Sequence, residues 1–231
     1  MSTKDLILVG GGGHCKSVID VAEGAGWDIL GILDTTENVG KKVLNYTIIG
    51  TDEQIPEFAE NAFFIVTVGQ IKNVDLRVKL HEKVLQVNGE LATIIASDAH
   101  VSKHSSIGKG TVVMHKSIVN AGVKIGMGCI INTMANIEHD AVIGDYCHIS
   151  TGVMVNGSCN VGDRTFIGSG SVLANDVIIP NNIIIGSNSF VKISLLSSGI
   201  YWGTPAKKVR DLPSPLKEYI IKPTFLGVAA S

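Results

Sequence analysis

The chain has 231 residues, enough for one or two domains with a sizeable core, and at 45% hydrophobic against 17% charged residues it excludes a disordered or low-complexity protein. A formal net charge of −2 argues against the basic surface on which general nucleic-acid binding rests. No apolar run approaches the roughly 18 residues of a membrane span, and Met1–Gly10 lacks the basic start of a signal peptide, so a cytoplasmic protein is expected.

In chain order, Leu6–Val9 is a short apolar run predicting a strand. It leads into Gly10-Gly11-Gly12-Gly13-His14 and then into Lys16–Glu23, where Val18, Ile19 and Ala22 stand at helical spacing. Strand, glycine turn and helix start form the context in which backbone approaches phosphate oxygens at a helix N-terminus. Asp34 closes the next strand, Ile29–Leu33, at the place of a ribose-binding acid, and Phe63–Val68 followed by Gly69 predicts a further strand. Cys15 stands where the third glycine of a GxGxxG fingerprint would fall, and residues 1–92 are short for a six-stranded dinucleotide domain. A half-size Rossmann-like α/β fold holding one nucleotide is expected there.

From Val101 onward, every sixth residue through Val191 is Val, Ile or Leu, sixteen of sixteen positions. Neither a 3.6-residue helix nor a simple alternating strand needs such a period. The pattern predicts a triangular solenoid in which each hexapeptide supplies one short strand and one corner, with about 18 residues per coil. Aliphatic residues then stack inside and small residues fit beneath the corners. Cys129, Cys147 and Cys159 fall on the small-residue position, four places after the aliphatic one, which predicts packing rather than redox roles. Residues 1–92 hold 8 Lys and Arg against 13 Asp and Glu, whereas residues 93–231 hold 11 against 8, so an anionic ligand is expected on the second half. The division is 1–92 for the nucleotide-binding domain, 93–192 for the coil and 193–231 for a C-terminal segment.

The GGGGH turn, the hexapeptide coil and Gly203-Thr204-Pro205-Ala206-Lys207 together resemble the hexapeptide-repeat nucleotide-sugar acetyltransferases, up to about Leu212. That resemblance implies a left-handed parallel β-helix, acetyl-CoA as co-substrate, a nucleotide-linked amino sugar as acceptor, and a homotrimer with active sites between subunits. It identifies Asn132 through His148 as the catalytic stretch. Transfer to an amine needs a base, and a near-neutral imidazole meets that need in His139, oriented by the acid that follows it, Asp140. Adjacent strand residues point to opposite faces, so this pair requires a corner, and Glu138 is the rival partner. By the same resemblance Gly12, Gly13 and His14 hold the diphosphate, Asp34 and Thr35 the base or ribose, and Gly69 the opposite wall. Asn132 lies near substrate or pantetheine, while His148, Ser169 and Ser187 face CoA; His81, His100, His104 and His115 read as packing or surface histidines.

Three other readings compete. O-acetylation of sialic acid or a polysaccharide sugar would use the same base. A zinc-dependent β-helix would need three or four ligands, and only His139 and His148 are suitably placed for it. A non-enzymatic scaffold would lack thioester turnover.

Overall fold

The computed structural model describes residues 5–70 and 74–212; the 213–231 segment, which the family resemblance does not cover, lies outside them. The first unit is built on β1 (Asp5–Val9), α1 (Gly13–Gly24), β2 (Asp28–Leu33), β3 (Lys42–Val43), β4 (Tyr46–Gly50), α2 (Ile55–Phe58), β5 (Phe63–Val66), α3 (Asp75–Gln86) and β6 (Glu90–Leu91). The sheet order is β3-β4-β2-β1-β5-β6, parallel except for the β3–β4 pair. Six strands are therefore present where the chain length suggested fewer. The reason is economy at the edges, since β3 and β6 are two residues each. Leu6–Val9 are buried because a central parallel strand is covered on both faces. Leu6 and Leu8 pack with Val18, Ile19 and Ala22 of α1, while Ile7 and Val9 pack with Leu80 and Val84 of α3.

The second unit is a left-handed parallel β-helix whose two- to three-residue strands stack into three faces. The first face runs through 94–95, 112–113, 130–131, 148–149, 166–167 and 183–185; the second through 100–101 to 190–191; the third through 106–107 to 178–179. The step of six thus reaches back one position beyond Val101, to Ile95, whose strand pairs with Val112–Val113. Inside, Val113, Ile131, Ile149, Ile167 and Ile185 form one fully buried ladder, and the other two faces contribute matching ones. At this density each methyl lost leaves a void, so an Ile→Ala change inside costs about 2–5 kcal/mol.

Cys129, Cys147 and Cys159 are buried beneath corners, and their thiols donate to the carbonyls of Gly144 (3.1 Å), Gly162 (3.2 Å) and Ala174 (3.0 Å). Burial raises the Cys147 and Cys159 thiols above their ordinary pKa, which keeps them protonated and unreactive. A hairpin of Gly199–Gly203 and Ala206–Arg210 continues the first face by pairing onto Ile183–Ile185.

The two units share a core. Ile94, Val112 and Ile130 point outward from the first face, and α1 and the N-terminal sheet cover them. The next outward residue up that column, one coil on from Ile130, is His148.

Candidate functional site

His139 and Asp140 occupy the corner between the second and third faces. Asp140 has φ +59°, in the left-handed region that breaks strand alternation, so both side chains emerge on the same side. His139 Nδ1 lies 2.9 Å from Asp140 Oδ2, and both residues are exposed. A carboxylate only accepts, so Nδ1 carries a hydrogen, and in the neutral ring the lone pair is then on Nε2. The ring lies against Gly157 in the next coil, where an added Cβ would stand 2.7 Å from Cε1 and from Nε2; below, a Cβ on Gly122 would come 2.4 Å from Asp140 Oδ1. Two glycines one coil away on either side therefore make room for the pair. Glu138 is committed elsewhere, accepting Asn120 Nδ2 and Asn136 Nδ2 at 2.9 Å each.

A second cluster forms where the N-terminal domain covers the first face. His148 is buried, with Nδ1 donating to the Gln70 carbonyl, Nε2 accepting from Asn132 Nδ2 at 3.1 Å, and its ring edge-on to Phe166. The Asn132 oxygen accepts the Thr133 amide at 2.8 Å. Burial pushes the His148 pKa down to about 4. His14, at the start of α1, is held to about 3, first by burial and then by the positive charge of Arg77. Both rings are thus neutral near pH 7. Arg77 is fully enclosed and donates to three carbonyls: Gly128 at 3.0 Å, Val66 at 2.7 Å and Val68 at 2.9 Å. It ties α3 and the end of β5 to a corner of the β-helix, and so fixes the Thr67–Gln70 segment that supplies the His148 partner.

The glycine turn has a divided architecture. Gly10 has φ +110° and abuts Val68, and Gly11 donates to Asp34 Oδ2 at 2.9 Å, leaving no space for a Cβ. Gly12 and Gly13 face open space. Gly12 caps α1 without any side-chain bond, so the first amides of the helix have no side-chain partner there. Asp34 Oδ1 accepts the Thr35 amide at 2.7 Å. The Thr67 hydroxyl braces the turn by donating to the Gly10 carbonyl. Gly69 is exposed beside His14, as the wall facing the turn. A cavity of about 110 Å³ adjoins Gly10, between the Leu33–Asp34–Thr35 strand end, Asp52 and the Leu76–Leu80 side of α3.

Ser169 and Ser187 are exposed at the corner between the first and second faces, stacked above Thr133 and Thr151 at 18-residue spacing. The Ser169 hydroxyl pairs with Ser150 at 2.9 Å. Within one chain, then, Gly12, Gly13, His14, Asp34, Thr35 and Gly69 gather at one end of the N-terminal sheet. Asn132 and His148 lie beneath that domain, and His139 with Asp140 stands on another corner. Among the described residues, no group of three or more His, Cys, Asp or Glu is arranged to hold a metal ion. No helix among them is long and apolar enough to cross a membrane. Gln70, Arg77, Thr67, Asp52, Gly122 and Gly157 escape a motif reading; only the two glycines carry a signal, each lying 18 residues from a catalytic candidate.

The family described as the PglD N-terminal domain matches residues 5–84. No curated protein matches the sequence. Among solved structures, a histidine-to-asparagine variant of perosamine N-acetyltransferase from Caulobacter crescentus, in complex with CoA and GDP-perosamine, is 31% identical, covering 90% of this chain and 97% of that one with a TM-score of 0.84. The acetyltransferase domain of PglB from Neisseria gonorrhoeae FA1090, in complex with acetyl coenzyme A, is 28% identical over 90% of this chain and 100% of that one, with a TM-score of 0.83. WeeI from Acinetobacter baumannii AYE shares the fold at 20% identity, over 90% of this chain and 100% of that one, with a TM-score of 0.79.

Proposed function

Since the chain belongs to the nucleotide-sugar acetyltransferase family, we propose that it transfers the acetyl group of acetyl-CoA directly to the amine of a nucleotide-linked 4-amino-4,6-dideoxy sugar, with His139 as general base. The protein is a CoA-dependent acetyltransferase. The observation that carries the base assignment is the 2.9 Å contact from His139 Nδ1 to Asp140 Oδ2, which leaves Nε2 as a free acceptor at an exposed corner. In the reaction the amine lone pair attacks the thioester carbonyl carbon, and Nε2 takes the proton the nitrogen sheds. The carbonyl re-forms as the carbon–sulfur bond breaks, and the leaving sulfur is protonated to free CoA thiol. Asp140 stabilises the imidazolium between these steps. No acyl-enzyme is needed, since among the described residues no cysteine or serine hydroxyl is paired with His139.

Gly12, Gly13 and His14 bind the diphosphate through the unsealed end of α1, with Asp34, Thr35 and Gly69 around the nucleoside. Asn132, held by His148, and the Ser169–Ser187 corner receive the CoA arm, and Glu138 orders the acceptor side through Asn120 and Asn136. Because His139 and the N-terminal site stand apart in one chain, the working enzyme is a homotrimer in which the His139 corner of one subunit faces the nucleotide domain of the next. The half-exposed Ile118 and Met154 on the second face supply apolar surface for that contact.

Thiol release from acetyl-CoA against UDP-, dTDP- and GDP-linked amino sugars tests the reading. His139→Ala is expected to lower kcat by about 10² to 10⁴ while acetyl-CoA still binds, and Asp140→Asn by less. Retention of more than about a tenth of wild-type kcat in folded His139→Ala would remove His139 from the base role.

A further inference from the structure

The cavity beside the glycine turn carries chemistry that selects a base, and this inference rests on the nucleotide-sugar reading above. Its walls are aliphatic: Leu33 and Val68 on the sheet side, Leu76 and Leu80 on α3. Such walls receive the faces of a flat ring and leave its edge to be read by the polar groups. Those polar side chains are two carboxylates, Asp34 and Asp52, and the Thr35 hydroxyl; no lysine, arginine or side-chain amide lines the cavity among the described residues.

The two carboxylates are not equivalent. Asp34 is already committed, since Oδ2 accepts the Gly11 amide at 2.9 Å and Asn38 Nδ2 at 3.5 Å, while Oδ1 accepts the Thr35 amide at 2.7 Å. Asp52 is held from outside the cavity by Lys83, whose Nζ lies 2.6 Å from Oδ2. Lys83 also grips Glu53 at 2.6 Å, and these two carboxylates raise its pKa, so the clamp stays charged. Among the described residues Asp52 Oδ1 has no hydrogen-bond partner, which leaves one oriented carboxylate with acceptor capacity at the cavity edge.

A fixed acceptor needs donors. The Watson–Crick edge of guanine presents two adjacent ones, N1–H and the N2 amino group, in the spacing of a carboxylate. Uracil and thymine present a single N–H between two carbonyls, so at least one carbonyl would be pressed against the carboxylate. Adenine and cytosine place a ring acceptor beside their one amino group. We propose that this cavity reads guanine, with Asp52 accepting N1–H and N2–H, and hence that the acceptor is a GDP-linked amino sugar. Discrimination comes as much from repulsion of the uracil carbonyls as from the bonds guanine gains. Bidentate readout of a base edge of this kind is worth about tenfold to a hundredfold in affinity.

Calorimetric titration of the full chain with GDP, UDP, dTDP, ADP and CDP tests the proposal, with turnover of GDP- and UDP-linked amino sugars measured alongside. GDP is expected to bind roughly tenfold to a hundredfold more tightly than UDP. Asp52→Asn, which swaps one acceptor oxygen for a donor, is expected to erase that preference while acetyl-CoA binding, read on the same sample, stays intact and reports the fold. If the variant does not fold, the wild-type panel decides alone. UDP or dTDP binding as tightly as GDP, with the UDP-linked amino sugar acetylated, overturns guanine readout and leaves the acetyltransferase reading standing. Undiminished GDP preference in folded Asp52→Asn overturns the role of Asp52. Absence of both nucleotide binding and amino-sugar turnover overturns this inference together with the function on which it rests.

Discussion

Replacing Gly157 with Ala tests the proposed base role of His139 without removing any group assigned to the reaction. The new Cβ would stand 2.7 Å from two atoms of the His139 ring, whereas ordinary contact begins at 3.4 Å, so the ring must retreat by at least the difference, 0.7 Å. The retreat costs little stability. His139 is an exposed side chain, the next nearest atom to the added Cβ is the end of the Asn175 side chain at 3.3 Å, and Gly157 itself has no left-handed φ for a side chain to strain. It is costly to geometry, because the 2.9 Å bond to Asp140 is what aims Nε2. A misplacement near 1 Å costs on the order of 10² in rate, and the base contributes about 10² to 10⁴ in all, so Gly157→Ala should lower kcat by roughly ten- to a hundredfold. Steady-state thiol release, with melting temperature measured in parallel, reads both halves of the expectation. Because the effect passes through His139, adding Gly157→Ala to His139→Ala should change nothing further. A Gly157→Ala enzyme with wild-type kcat and pH profile, or one whose loss adds in full to that of His139→Ala, would refute the reasoning.

Two histidines should bias stability in opposite directions with pH. His115 bridges Asp98 at 2.7 Å and Asp20 at 3.1 Å, linking α1 to the β-helix, and its pKa is raised chiefly by the Asp98 hydrogen bond. The folded state holds that proton longer, so the contribution is full below the unfolded value near 6.5 and disappears as pH rises through the raised one. His115→Gln should therefore destabilise more at pH 5.5 than at pH 8.5 in urea titrations. His148 is pushed down to about 4, so between that value and about 6.5 the unfolded chain takes up the proton first and acidification erodes stability; His148→Asn should remove its share of that loss, leaving those of His14 and His81, both held to about 3. Arg77→Leu strips three buried carbonyls of their donor and should cost about 3 kcal/mol in urea unfolding, a value below about 1 kcal/mol counting against its role as an interdomain anchor.

The hexapeptide period made the β-helix legible because a coil of fixed geometry must repeat its inward residue, and Ile131, Ile149 and Ile167 had no alternative direction. The corner cysteines were legible for the same reason. His139 and Asp140 were readable as a pair once a corner was granted, although only the folded chain shows Asp140 against the His139 ring and Glu138 held by two asparagines. His148 was a different case. Its place in the repeat makes it outward, and outward in a lone β-helix means solvent, yet the N-terminal domain lies over it and takes its Nδ1 hydrogen with the Gln70 carbonyl. Periodicity is a property of neighbours along one chain segment, so a single sequence reports which way a side chain points. What covers it is set by a contact between segments 78 residues apart, Gln70 and His148, and that contact leaves no period to read. The same holds for Arg77, a charged residue whose burial follows only from three carbonyls meeting at the domain junction.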